Sequence, residues 1–124
     1  MTMNKVVPLY LALLAFHILH VFEEIWGRFW IMNQVFGLGL FLVVNWMLVC
    51  IPLAIFYFLW RGNRAARWLA MIYAVVMILN GVGHNVTTIV TGRYFDGFAG
   101  GISGIGLIVT GIPLLYQLRA VRPA

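Results

Sequence analysis

The sequence predicts an all-α membrane protein, a bundle of four transmembrane helices forming one domain over residues 1–124 with both termini in the cytoplasm. Three observations lead there. Apolar residues make up 64% of the 124-residue chain and charged residues 9%, against about 45–50% and roughly 25% in soluble domains. Mean hydropathy is +1.00. Four stretches, over residues 6–26, 38–60, 66–90 and 98–118, each supply the roughly 20 mostly apolar residues that a membrane-crossing helix needs.

The first span resembles a secretory leader only superficially. Its apolar run is long, carries internal charge and lacks a small-residue cleavage site, so it is read as retained. The second contains Pro52 and the fourth Pro113, each a candidate kink because proline removes a helical N–H. The fourth span, "DGFAGGISGIGLIVTGIP", sets Gly97 and Gly101 four apart, and likewise Gly100 and Gly104. Small residues at that spacing let helix backbones approach closely. Packing within the chain is the favoured use, with a homodimer seam through this span as the alternative. Between the spans, "GRFWIMNQ" (Gly27 to Gln34), "RGNRAAR" (Arg61 to Arg67) and "TGRYFDG" (Thr91 to Gly97) read as loops.

Charge sets the direction. Lys5, Arg61, Arg64, Arg67, Arg119 and Arg122 fall on one side of this topology, and only Arg28 and Arg93 on the other. The positive-inside rule then places both termini in the cytoplasm. The tryptophans support the span boundaries, with Trp26 and Trp30 near one interface and Trp60 and Trp68 near the other. A net charge of +5 is spread over ends and loops without a dense basic run. That argues against a nucleic-acid partner; anionic lipid headgroups suffice. Cys50 is the only cysteine, which excludes an intramolecular disulfide and leaves a small apolar side chain.

Polar groups concentrate in "FHILHVFEEIW", Phe16 to Trp26. At about 100° per residue, His17, His20 and Glu24 share an arc of about 60°, and Glu23 lies about 100° to the side of Glu24. His20 and Glu24, at i and i+4, stack one turn apart, a spacing that lets two side chains hold one ion. In the third span, "NGVGHNVTTIVTG" lines up Asn80, His84, Thr87, Thr88 and Thr91, with Gly81 and Gly83 beside them to admit a neighbouring helix. His84 and His20 lie at similar depth, and Asn45 of the second span lies close to it. An ionisable residue inside a span is a functional candidate by default and faces the bundle interior. The ordinary alternatives are interhelical hydrogen bonding for His17, Asn45 and Asn80, threonine bonding to its own helix, and an Arg28–Glu24 helix pair. Solvated end charges would account for Glu24, but they need no histidines beneath them. The sequon Asn85-Val86-Thr87 lies inside a span, where it is not usable.

These residues carry a resemblance. "HVFEE", His20 to Glu24, matches the signature of the HXXEE family of small bacterial membrane proteins. "GHNVTTIVTGRYFDG" resembles that family's second signature, a histidine about ten residues before a Y-x-P-G turn. His84, Tyr94 and Gly97 fit it, and Asp96 replaces the proline. The resemblance implies a bacterial cytoplasmic membrane location and assigns weight to His20, Glu23, Glu24 and His84, but supplies no reaction.

Three functions compete. In a metal-dependent intramembrane enzyme, His20, Glu24 and His84 ligate a divalent ion, with His17 as a fourth ligand. Glu23 is then the catalytic base that takes a proton from activated water. Nitrogen and carboxylate ligands suit zinc, iron or manganese, and the substrate would be lipid-like or otherwise apolar. A metal-free version has glutamate and histidine moving protons on the same kind of substrate. In a small proton-coupled transporter, Glu23 or Glu24 exchanges protons with a cationic substrate. In a b-type haem protein, His17 or His20 pairs with His84 as axial ligands; nothing there requires two glutamates.

Overall fold

The computed structural model describes residues 5–94 and 99–120. Asp96, Gly97 and Arg122, on which parts of the sequence reading rest, lie outside the described residues. The described chain is helical: α1 (Val6–Trp26), a π-helical turn (Met32–Phe36) running into α2 (Gly37–Trp60), α3 (Arg64–Thr91) and α4 (Gly101–Ala120). All four are long and apolar enough to cross a membrane, the second as one 29-residue span from Met32 to Trp60.

Two expected loops are shorter than the sequence indicated. "GRFWIMNQ" breaks helix only over Gly27–Phe29, and helix resumes at Trp30. Gly27 caps α1 with its N–H on the Glu23 carbonyl, Arg28 turns to a positive φ of 53°, and the Asn33 side chain donates to the Arg28 carbonyl at 3.0 Å. Local partners thus satisfy the backbone without a longer excursion. In "RGNRAAR" the turn is Arg61 to Asn63. Asn63 is the N-cap of α3, its side chain accepting from the Ala66 N–H at 3.0 Å. The Arg-Ala-Ala-Arg run that follows consists of strong helix formers.

The helices meet in a core of Tyr10 and Leu13 from α1, Leu59 from α2, Ala70, Tyr73 and Ala74 from α3, and Leu107 and Leu114 from α4. α4 presses closely on α3 and α1, whereas α2 is held more lightly. Gly81 and Gly104 explain the tight α3–α4 crossing. A Cβ on Gly81 would run into the Gly104 carbonyl, and one on Gly104 would lie 3.1 Å from the Gly81 Cα. The Gly100/Gly104 pair therefore serves packing within the chain. Gly83, expected to help, has nothing within 4 Å of its Cβ position. It sits two residues from Gly81, about 200° around the helix, and so faces away.

Candidate metal centre

Three of the candidate ligands converge. His20 and Glu24 rise from the last two turns of α1, and His84 comes across from α3. Each offers one ligand atom, and the three atoms lie within 4.8 Å of one another. Glu24 Oε1 is 3.3 Å from His84 Nε2 and 3.6 Å from His20 Nε2. Tetrahedral ligand atoms about 2.0–2.2 Å from one ion stand about 3.3–3.6 Å from each other. All three residues are buried, at 1%, 7% and 9% exposure for His20, Glu24 and His84. The two imidazole rings meet edge to face, their centroids 4.6 Å apart at 86°, and the Phe29 ring covers His84 at 5.1 Å.

Arg28, whose pairing with Glu24 was the ordinary alternative, does not continue the helix, because α1 ends at Trp26. Among the described residues the ion-pair partners of Glu24 are the two histidines. His17 shares the face but stands outside the triad. Its Nδ1 lies 3.1 Å from the Tyr73 hydroxyl, and the Tyr73 ring packs beside it.

Glu23 is turned to the other side of α1, toward the start of α4. Its Oε1 accepts from the Tyr94 hydroxyl and from the Ile102 N–H at 3.1 Å. Its Oε2 accepts from the Ser103 N–H at 2.7 Å and from the Ser103 hydroxyl. A helix N-terminus presents unpaired N–H groups and a partial positive charge, so a carboxylate there is well placed. Glu23 caps α4 from another helix. Burial, and then the Glu23 carboxylate beside it, push the Tyr94 hydroxyl above the ordinary tyrosine range, which keeps it a donor.

This cap orients the His20 ring. A carboxylate addressed by four donors only accepts. The single proton of the Ser103 hydroxyl therefore goes to Glu23, and Ser103 Oγ must accept at its other contact, His20 Nδ1 at 2.9 Å. His20 Nδ1 is therefore the donor to Ser103, and Nε2 is the nitrogen turned to Glu24. That Nε2 is fully buried and has no hydrogen-bond partner among the described residues. It faces the Glu24 carboxylate away from water, 3.6 Å from Oε1. Such a pair is costly unless something positive lies between them. The residues fit a divalent cation: two imidazoles and one carboxyl group, with one imidazole oriented through its second nitrogen, as metal-bound histidines are.

Gly100 completes the cradle. It has φ +135°, and a Cβ on it would overlap the rings of both His84 and His20, so the glycine admits the two imidazoles side by side. Asn85 holds this corner in place, its Nδ2 donating to the carbonyls of Gly81 at 2.8 Å and Gly101 at 3.0 Å. Asn45, expected to bond between helices, instead donates to its own helix at the Phe41 carbonyl, 2.9 Å away. Thr91 likewise donates to Thr87 O at 2.7 Å. Ser103 and Gly100 were missed as site residues because a serine in a glycine-rich span has no spacing signal of its own. In the sequence Asn85 stands out only as part of a sequon.

A cavity of about 560 Å³ opens beside the triad, between α1, α2 and α3. His17, His20, Glu24, Asn45, Tyr73 and Asn80 are the polar part of its wall, and the remaining lining is apolar. The arrangement is a buried acceptor cluster at the edge of an apolar chamber. Comparison with protein-family models, with curated proteins and with solved structures finds no match to this chain.

Proposed function

We propose that this protein is an intramembrane metalloenzyme of the HXXEE type, in which His20, Glu24 and His84 hold a divalent ion and an apolar substrate reaches it from the α1–α2–α3 cavity. The observation that carries the reading is the buried, unpartnered His20 Nε2 aimed at the Glu24 carboxylate. Two histidines and one carboxylate leave coordination positions open, the pattern of catalytic rather than structural sites, and suit zinc or non-haem iron. When bound, the ion supplies Lewis-acid polarisation of a substrate or water oxygen.

The chain's own residues do the rest. Ser103 and Glu23 set the His20 tautomer and ring orientation. Phe29 and the apolar wall exclude bulk water, which strengthens each electrostatic contact inside. Glu24, which lines the cavity beside His20, supplies the one carboxylate of the ligand set. Glu23 acts through Ser103 and is a positioning residue. The arginine asymmetry favours an orientation with this end of the bundle toward the outer face of a bacterial cytoplasmic membrane. The edge-on contact of His20 and His84 leaves no gap for a porphyrin plane between them, which favours a bare ion over haem.

Elemental analysis of the purified protein tests the reading. Wild type should carry close to one equivalent of a transition metal, and a His20→Ala/His84→Ala double variant should carry almost none. Equal metal in both overturns it.

A further inference from the structure

The cavity beside the triad has a direction. Glu24 and His20 lie near the end of the bundle where α1 stops and α2 starts, with Asn45, Asn80 and the Tyr73–His17 pair next along the wall. Beyond them, toward the Trp60 end of α2, the lining is Leu48, Ile51, Pro52, Ile55, Leu69 and Ile72. From Phe41 to Ile55 the α2 wall is about 21 Å long at a rise of ~1.5 Å per residue, somewhat more than half of a ~30 Å hydrocarbon core. A volume of about 560 Å³ is that of a small-molecule site, apolar with a few convergent polar groups.

Charge narrows the occupant. Among the described residues no arginine or lysine lines the cavity, and Glu24 is the one acid in its wall. A phosphate or carboxylate head would enter beside a buried carboxylate with no cationic side chain to receive it. A cationic head would compete with the ion for Glu24. An uncharged head suffers neither cost, and Asn45, whose Nδ2 is committed to Phe41 O, keeps its Oδ1 to accept from a hydroxyl.

Resting on the metal-site reading above, the geometry points to an uncharged single-chain amphiphile as the substrate class: a long-chain or isoprenoid molecule whose oxygen-bearing head meets the His20–Glu24–His84 cluster while its tail lies along α2 and α3. Light holding of α2 by the rest of the bundle gives the tail a lateral way in from the bilayer.

The test uses the full chain in lipid nanodiscs with a hexadecanol analogue carrying a diazirine in its chain. Labelled peptides should map to the Leu48–Ile55 and Leu69–Ile72 wall. Unlabelled hexadecanol should compete about tenfold better than hexadecyl phosphate or hexadecyltrimethylammonium, a difference of about 1.4 kcal/mol. Val44→Trp and Leu48→Trp fill the cavity and should each cut labelling about tenfold by overpacking it, while Val43→Trp, on the exposed face of the same helix, should not. Metal content is measured on every sample, and a filled variant counts only if it keeps its metal. Labelling that ignores both cavity fillings, or that the three competitors suppress equally, overturns the substrate class. Wild type without metal but with head-selective, cavity-dependent labelling would sink the metal reading and leave this one standing.

Discussion

Ser103 does more at the level of single residues than its sequence neighbourhood announces. Its hydroxyl stands between the Glu23 carboxylate and His20 Nδ1, and its own N–H is capped by the same carboxylate. Ser103→Ala keeps the backbone N–H cap and loses the hydroxyl that links Glu23 to His20. Its expected effect is a fall in metal affinity of about 10–100-fold, the usual cost of removing an outer partner of a metal-bound histidine. Competition with a chromophoric chelator reads this directly, and an unchanged affinity would show that His20 needs no such orientation. Gly100→Ala should be more severe, since the new Cβ overlaps both imidazole rings; loss of metal together with a lower unfolding midpoint is the expected pair of readouts. The triad itself was legible in the sequence. A four-residue spacing fixed His20 over Glu24, and equal depth brought His84 to them. Glu23 was legible as lying to one side, at about 100° from Glu24, but what stands on that side depends on where α4 crosses. His17 shared the face of His20, yet Tyr73, a residue with no polar signal in a span, claims it.

Among the helices, the α3–α4 contact is the one set by glycine. Gly81→Ala forces its methyl into the Gly104 carbonyl, and overpacking of this kind costs about 1–3 kcal/mol. Gly83→Ala meets open space and should be neutral or stabilising by up to about 1 kcal/mol, as alanine is the better helix former. Thermal unfolding of both variants in one detergent gives the comparison; equal effects would mean that the crossing is not at Gly81. Asn63→Ala removes the α3 cap and should cost about 1 kcal/mol in the same assay. Length and apolarity revealed every helix because backbone groups in hydrocarbon must be satisfied internally. The ends were less legible. Trp30 to Phe36 lacks a clean apolar period, so nothing marked it as helical, and its π-helical turn is held by local partners such as Asn33.

For the molecule as a whole, the ion is expected to contribute to folding. A ligand held by the folded state alone, at a hundredfold excess over its Kd, stabilises by about 2.7 kcal/mol. Chelator treatment should therefore lower the unfolding midpoint of wild type and leave that of Glu24→Gln almost unmoved. A wild type indifferent to the chelator would argue that the acceptor cluster is neutralised by a proton. The presence of four long apolar helices was readable from composition. The position of the cavity was not, because it depends on how lightly α2 sits against α1 and α3.

The reach of Glu23 to the first turn of α4 also has a temporal side. α1 is synthesised before α4 and carries two of the three candidate ligands, yet the hydroxyl beside His20 belongs to α4. A nascent chain halted before Gly101 would hold every ligand and still lack a correctly poised imidazole. On the metal-site proposal, acquisition of the ion should therefore await the arrival of α4 and not only that of α1 and α3.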